Sequence, residues 1–353
     1  MPHAASPEAV KAVVIHAALD LRVEEVALAS MGAGDVTVQI ERGGICGSDL
    51  HYFQHGGFGV VRVKQPMVLG HEIAGRVLAV GEGVSRVKPG DIVAVNPSLP
   101  CGHCRFCQKG LQHECLNMLF YGSAMRFPHV QGGFRERIVC TQAQAVPLPA
   151  GVAAEVAAFA EPLAVCLHAL RRAGPVAGRR VLVTGCGPIG ALCIIAARHA
   201  GASEIVATDV AAAPLALALR IGADRALDVG ADPETLKPWE ADKGSFDAVF
   251  ECSGNGRALA AAVGAAAPRA RIVQVGLGGD ASVPLNAIVA KEIELCGTFR
   301  FNEEFDWAVE LLGSGRIDVS PLLSAVMPFS EARSAFELAG DRSRAVKVQL
   351  AFA

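Results

Sequence analysis

The sequence predicts a two-domain α/β protein: a mostly β first body joined to a doubly wound domain, a parallel sheet with helices on both faces. Three observations predict it. The chain has 353 residues, more than the roughly 250 to 300 at which single cores stop growing. From about Arg180 to Arg300, short β-branched runs (RRVLVTG, EIVATDV, RALDV, FDAVFECSG, RIVQVGLG, EIELCGTF) alternate with Ala-rich stretches, the pattern of βαβ units. Residues 11 to 150 instead carry Gly, Pro and short strand-like segments such as KAVVIH, DVTVQI and DIVAVNP, with few long helical periods.

Within the second body, Val181 to Ala197 is free of charge between Arg180 and Arg198. It is shorter than the ~20 apolar residues of a membrane span and holds three glycines and a proline, so it reads as a buried strand, a turn and a helix. The Ala-rich PLALALR and ALAAAVGAAA segments read as helices. After Asn302 a helix is expected near Phe305 to Gly313, and the chain ends in AVKVQLAF, a strand able to return to the first body.

Composition narrows the function. With 52% hydrophobic and 19% charged residues, the chain can bury large cores. Thirty-two basic against thirty-five acidic residues leave a formal charge of −3 and no dense basic block, which counts against a nucleic-acid partner. Met1 to Val10 has neither the basic start nor the apolar core of a secretory signal, so a cytoplasmic protein without a membrane anchor is expected. Eleven cysteines in such a chain point to metal or catalysis rather than disulfides.

Directly after VLVTG comes Gly185-Cys186-Gly187-Pro188-Ile189-Gly190, opening a helix. The first glycine permits a tight turn, the second lets the backbone approach a pyrophosphate, and the third lets helix and strand pack closely. The helix N-terminus then faces the anion. Nineteen residues beyond Gly190, IVATD ends in Asp209, which can accept hydrogen bonds from an adenosine ribose. Val210 to Ala213 offer no cation for a 2′-phosphate, so NAD is expected over NADP. An acidic cap for the next helix is the competing reading of Asp209.

Cys101, Cys104, Cys107 and Cys115 form CxxCxxCx7C. Four thiolates at such intervals close a tetrahedral shell around zinc with no open position, a structural site; an iron–sulfur cluster and chance clustering are the rivals. His103 and His113 are surplus to that shell and read as surface residues. Elsewhere, Cys46 in GGICGSDLHY and the His71–Glu72 pair in LGHEIAGRVLAVGEGV sit in Gly-rich settings. The pair lacks a second histidine four residues on, since Gly75 is there, so the zinc-protease helix motif fails.

These stretches resemble the zinc-containing medium-chain alcohol dehydrogenases. GHEIAGRVLAVGEGV matches that family's zinc signature at Gly70, His71, Glu72, Gly75, Gly81 and Val84, and the four-cysteine lobe and nucleotide loop follow in the family's order over essentially the whole chain. GICGSDLHY and AEPL are similar to the polyol dehydrogenase branch. The phrases PMVLGHE, YGSAMRFPHVQGGF, AFAEPLAV and GTFRF resemble a sugar-acid dehydrogenase within it. The resemblance implies a GroES-like catalytic domain over residues 1–156 and 299–353 and a Rossmann NAD-binding domain over 157–298. It makes Cys46 and His71 catalytic zinc ligands, with Glu72 or Glu161 completing the shell. It implies that Ser48 accepts the substrate proton, that His51 relays it, and that Asp49 orients a ligand. Val275, Gly276, Thr298, Phe299 and Arg300 join Gly185, Gly187, Pro188, Ile189, Gly190 and Asp209 along the cofactor. Two zinc ions per subunit and a homodimer or homotetramer are likewise implied.

The chemistry follows from those residues. An alcohol is a poor hydride donor until it loses its proton, and zinc is redox-silent but acidifies what binds to it, to a pKa of ~7 for water. A sugar-acid substrate needs a cation for its carboxylate, and Arg126 and Arg300 are the candidates; a neutral polyol would need none. A turn-stabilising Ser48, a surface His51 and a solvated Arg126 are the plain alternatives. A noncatalytic zinc and nucleotide-binding protein, or a zinc-free quinone reductase, would leave Cys46, Ser48, His71, Glu72 and Glu161 without a purpose.

Overall fold

The computed structural model describes residues 8–352; Met1 to Val10, from which the lack of a signal was read, lies mostly outside them. A seven-stranded sheet forms the first body, in the order Ala145–Pro147, Ile92–Val95, Glu72–Val80, Asp35–Gly44, Lys347–Ala351 and Leu323–Pro328, with Arg137–Thr141 also paired to Asp35–Gly44. A three-stranded sheet of Asp20–Ala27, Ala9–Ala17 and Met67–Val68 lies beside it. In Asp35–Gly44, burial alternates through Val36, Val38 and Ile40, as period-two side chains on a half-covered sheet require.

The second body is a six-stranded sheet in the order Arg225–Asp228, Glu204–Asp209, Arg180–Thr184, Phe246–Glu251, Ala266–Gln274 and Glu294–Gly297, parallel throughout. Its central strands are buried at consecutive positions, Val181 to Val183 and Ile205 to Ala207, because helices cover both faces. The chain runs outward from Arg180–Thr184 in one direction and restarts beside it with Phe246–Glu251. A crevice opens where the winding reverses.

The helix Pro188–His199 follows the glycine loop and Ala212–Arg220 contains PLALALR. ALAAAVGAAA does not stay one helix. The helix Gly256–Ala265 ends at Ala266, whose backbone is extended, and Ala266–Gln274 is a strand; Pro268 cannot continue a helix and pushes its predecessor to extended geometry. The late helix spans Glu304–Gly313 and packs against Ala160–Ala173. No described helix is long and apolar enough to cross a membrane.

The last strand decides where the site lies. Lys347–Ala351 runs antiparallel to Asp35–Gly44, placing Gln349 opposite Gly44, while Gly44 also faces Glu72 on the other side. Three strands, one from each third of the first body's sequence, therefore converge at Gly44. Val348 and Leu350 of this strand are fully buried. Leu350→Ala is expected to cost about 2–5 kcal/mol through lost burial and the cavity left behind; urea unfolding with an unchanged midpoint would contradict this account of the strand.

Candidate active site

At that convergence the structure brings Cys46, His71 and Glu72 together, one ligand atom from each within 4.8 Å of the others. Cys46 is the N-cap of the helix Gly47–His55, and its N–H donates to Asp49 Oδ2 at 3.1 Å, within a reciprocal capping box. The other carboxylate oxygen of Asp49 accepts from Gly70 N at 3.4 Å and lies 3.9 Å from His71 Nδ1. One buried aspartate thus ties the two ligand-bearing segments together. His71 Nδ1 is buried without a hydrogen-bond partner.

Beside them lies Lys347, which the sequence reading missed. Its ammonium forms an ion pair, rather than an aligned hydrogen bond, with Glu72 Oε2, and both side chains are 2% exposed. It also donates to Ile45 O at 3.1 Å. Gly44 makes the room: a Cβ there would sit 2.1 Å from Glu72 Oε2 and 3.0 Å from Lys347 Cε. Burial first, then the charges of Glu72 and Asp49, push the Cys46 thiol up to about 12. Glu161, on the helix Ala160–Ala173, lies outside the three-ligand group yet feels His71, Glu72 and Cys46; burial is the main cause that raises its carboxyl to about 8. So much acidity around one buried lysine is a site short of positive charge. A thiolate, an imidazole and a carboxylate fit zinc with a position left over, the arrangement of a catalytic centre.

Ser48 is half-buried next to Cys46 and hydrogen-bonds its sulfur. His51, three residues on and hence on the same helix face, is exposed. Burial, then His55 and Arg342, lower its pKa.

The four lobe cysteines also come together, their sulfurs within 4.8 Å of one another. Cys104 Sγ is 3.6 Å from Cys107 Sγ and 4.0 Å from Cys115 Sγ; tetrahedral zinc with bonds of about 2.3 Å spaces its sulfurs about 3.8 Å apart. Cys115 Sγ also accepts from Cys101 N at 3.2 Å and Asn117 N at 3.3 Å. His103 is exposed as expected, but His113 is not a free surface residue. It is half-buried, its ring centroid 4.8 Å from that of His168, whose Nδ1 lies 3.0 Å from the buried Glu304. The lobe docks on the second body there.

In the crevice, Gly185 takes φ +84°, and a Cβ on Gly190 would sit 1.8 Å from Gly185 O. A Cβ on Gly187 would meet no protein atom within 4 Å. What Gly187 leaves clear is the space before the helix N-terminus, where Pro188 opens the helix and the N–H groups of Ile189 and Gly190 follow. This cradle fits a pyrophosphate. Asp209 receives Cys186 N at 2.7 Å on one oxygen and Val210 N and Ala211 N on the other. These bonds shape the loop.

Glu251, also missed, holds the opposite wall. It is fully buried and accepts from Thr184 Oγ1 at 3.1 Å, Ser253 N at 3.0 Å and Gly254 N at 3.0 Å. Its backbone carbonyl takes Val275 N and Gly276 N, both at 2.8 Å. Thr298 N reaches Gln274 O at 3.2 Å, and Phe299 is partly exposed. Arg300 has φ +53°, an uncommon backbone state for a residue with a side chain. Its guanidinium lies 4.3 Å from the Phe120 ring centroid and 4.8 Å from that of Phe299. Burial lowers its pKa, partly offset by Glu161. Arg126 is exposed.

A two-body fold with a dinucleotide crevice and a mixed-ligand metal group beside a four-thiol lobe defines a zinc-dependent alcohol dehydrogenase that uses a nicotinamide cofactor. The chain belongs to the zinc-containing medium-chain alcohol dehydrogenases, in their polyol dehydrogenase branch. Residues 32–150 match the family described as "Alcohol dehydrogenase GroES-like domain" and 188–314 that described as "Zinc-binding dehydrogenase". It is 46% identical over 316 residues to the L-idonate 5-dehydrogenase (NAD(P)(+)) of Escherichia coli strain K12, spanning 89% of this chain and 91% of that one. The crystal structure of L-idonate 5-dehydrogenase from E. coli K-12 superposes with a TM-score of 0.93 at 43% identity, over 98% of each chain. Arabidopsis thaliana sorbitol dehydrogenase is 36% identical over 338 residues, 93% of this chain and 91% of the relative.

The Lys347–Glu72 pair generates a thermodynamic expectation. In metal-free protein Lys347→Met should cost about 3–5 kcal/mol, because it strands a buried carboxylate, whereas Lys347→Met combined with Glu72→Gln should cost distinctly less. A double-mutant cycle by denaturant unfolding measures the difference. Additive losses would show that the pair is not a coupled unit.

Proposed function

We propose that this enzyme interconverts L-idonate and 5-ketogluconate, moving a hydride between the C5 carbinol carbon and the nicotinamide of NAD. The observation that carries the sugar-acid reading is Arg300: a half-buried cation over the Phe120 ring, held by an uncommon backbone conformation and within electrostatic reach of Glu161. A guanidinium of fixed geometry suits a carboxylate. Arg126 is solvated, with no contact among the described residues that fixes its guanidinium in place, and is the weaker candidate. The likeness to the E. coli enzyme over nearly the whole chain supports the same reading.

Two zinc ions per subunit are proposed, one held by Cys46, His71 and Glu72 and one by Cys101, Cys104, Cys107 and Cys115. When bound, the first zinc acidifies the substrate hydroxyl and polarises the carbonyl in the reverse direction. Ser48, beside Cys46, accepts the hydroxyl proton and passes it along its helix face to His51, which the solvent reaches. Asp49 keeps the Cys46 and His71 segments in register, and Glu161 borders the reacting carbon from the helix Ala160–Ala173. Gly185, Gly187, Pro188, Ile189 and Gly190 cradle the pyrophosphate, Asp209 takes the ribose, and Val275, Gly276, Thr298 and Phe299 line the nicotinamide end. The acidic Asp209 and the absence of a cation from Val210 to Ala213 support NAD over NADP.

A cytoplasmic homodimer, or a homotetramer built from it, is the proposed assembly. It is supported by the edge strand Glu294–Gly297 and by the exposed Leu277, Leu285 and Val289 in the segment that leads to it; such an edge invites self-pairing.

The test is nicotinamide reduction by zinc-loaded enzyme with L-idonate, D-gluconate, sorbitol and xylitol, each with NAD and NADP. Preference for L-idonate with NAD is expected. Arg300→Met should then raise the KM for L-idonate about 100-fold, the scale of a lost charge pair, while barely moving that for sorbitol. Preference for a neutral polyol would replace the aldonate assignment and leave the zinc chemistry standing.

A further inference from the structure

Three thiols outside both metal groups have no part in the proposed reaction. Cys193 lies in the second turn of the helix Pro188–His199 and is 1% exposed. Its Sγ is 3.8 Å from that of Cys252, the residue that follows the strand Phe246–Glu251. Cys166, from the helix Ala160–Ala173, hydrogen-bonds Cys193 as well, and its Sγ reaches Ile189 O at 3.4 Å. The cluster therefore joins the helix that opens at the glycine loop, the helix that bears Glu161, and the far wall of the crevice.

Geometry and exposure single out one pair. Cys252 is half-buried, whereas Cys166 and Cys193 are closed off from solvent, so a small oxidant enters the cluster past Cys252. A disulfide needs the sulfurs at about 2.05 Å, a closure that side-chain rotation and a small loop shift can supply. Cys252 sits on a short loop, its N–H bonded to Thr184 O at 2.8 Å and the next two N–H groups to Glu251. Drawing its sulfur inward pulls on the wall that Gly185 closely abuts, since a Cβ on Gly185 would lie 2.8 Å from Ser253 N. Hydrogen bonds from Cys166, then from Cys252, also hold the Cys193 thiol below its usual range, while the bond to Cys193, then burial, hold Cys252 well above it, so Cys193 supplies the attacking thiolate.

We infer that Cys193 and Cys252 form a reversible disulfide in response to hydrogen peroxide, and that the linked form closes the dinucleotide crevice. In the first step the Cys193 thiolate attacks one peroxide oxygen, the O–O bond breaks, and hydroxide leaves to give a sulfenic acid on Cys193. Next the Cys252 thiol gives its proton to that hydroxide, forming water, and its sulfur attacks the Cys193 sulfur; the S–O bond breaks and hydroxide departs. Peroxide is reduced to water and the two thiols lose one electron pair. A dithiol reductant reverses the link by exchange.

The test uses full-length, zinc-loaded enzyme treated with hydrogen peroxide, with and without saturating NAD. Crosslinked peptides are mapped by mass spectrometry, zinc release is followed with a chromogenic chelator, and NAD affinity is titrated before oxidation, after it, and after dithiothreitol. A Cys193–Cys252 peptide is expected before zinc is lost, slowed by NAD, with NAD affinity weakened about tenfold or more and restored by reductant. Cys252→Ser and Cys193→Ala, each compared with its own reduced form, should keep their NAD affinity through the same treatment. The inference is overturned if both thiols stay free while the zinc-lobe cysteines oxidise, if Cys166 is the partner found, or if the link forms and NAD affinity does not change.

Discussion

The site depends on one buried ion pair. Lys347 and Glu72 are drawn from distant parts of the first body's sequence and meet where almost no solvent screens them. Moving two charges from water costs several kcal/mol each, and only a close partner offsets it. Sheet register therefore cannot slip: a shift of one residue in Lys347–Ala351 would turn the lysine to the opposite face and leave the carboxylate alone. The same pair explains Gly44, because any side chain there would occupy the space of Glu72 and Lys347. Register, charge and packing are here a single constraint.

The crevice is held differently. Its walls are backbone, and the side chains that matter most within it bond to backbone: Asp209 to Cys186, Val210 and Ala211, Glu251 to Ser253 and Gly254. Each carboxylate fixes the end of a parallel strand on either side of Arg180–Thr184, where the winding reverses. A preformed cradle of this kind spends little ordering entropy when a dinucleotide arrives. On the proposed assignment Asp209 has two tasks, since its loop bonds leave only part of its acceptor capacity for a ribose.

The doubly wound sheet was legible because its strands are buried on both faces and separate cleanly from Ala-rich helices. The glycine loop and the four-cysteine lobe were legible because their chemistry is local in sequence. ALAAAVGAAA was only partly so: alanine tolerates both states, and the switch at Ala266 is set by Pro268 and by pairing with a neighbouring strand. Lys347, Glu251 and the docking of His113 on His168 were not legible. Each acts across more than 20 residues of chain or between bodies, so no local spacing records it. Lys347 did leave a trace, as a lone charge within the apolar AVKVQLAF, and a lysine so placed must find an anion.

These two modes of support divide the reaction between them. The first body supplies charge, gathered by long-range pairing and tuned by burial, and so governs the proton. The second supplies shape through backbone geometry and so governs where the nicotinamide lies. Arg300 stands where they meet, just beyond the last parallel strand, with its ring contacts reaching back to Phe120 of the first body. On the proposed assignment a substrate held by Arg300 is gripped by both halves, so that a change in how the two bodies sit would alter proton transfer and hydride alignment together. That coupling is why the metal group and the crevice, though built by unrelated means, have to be read as one site.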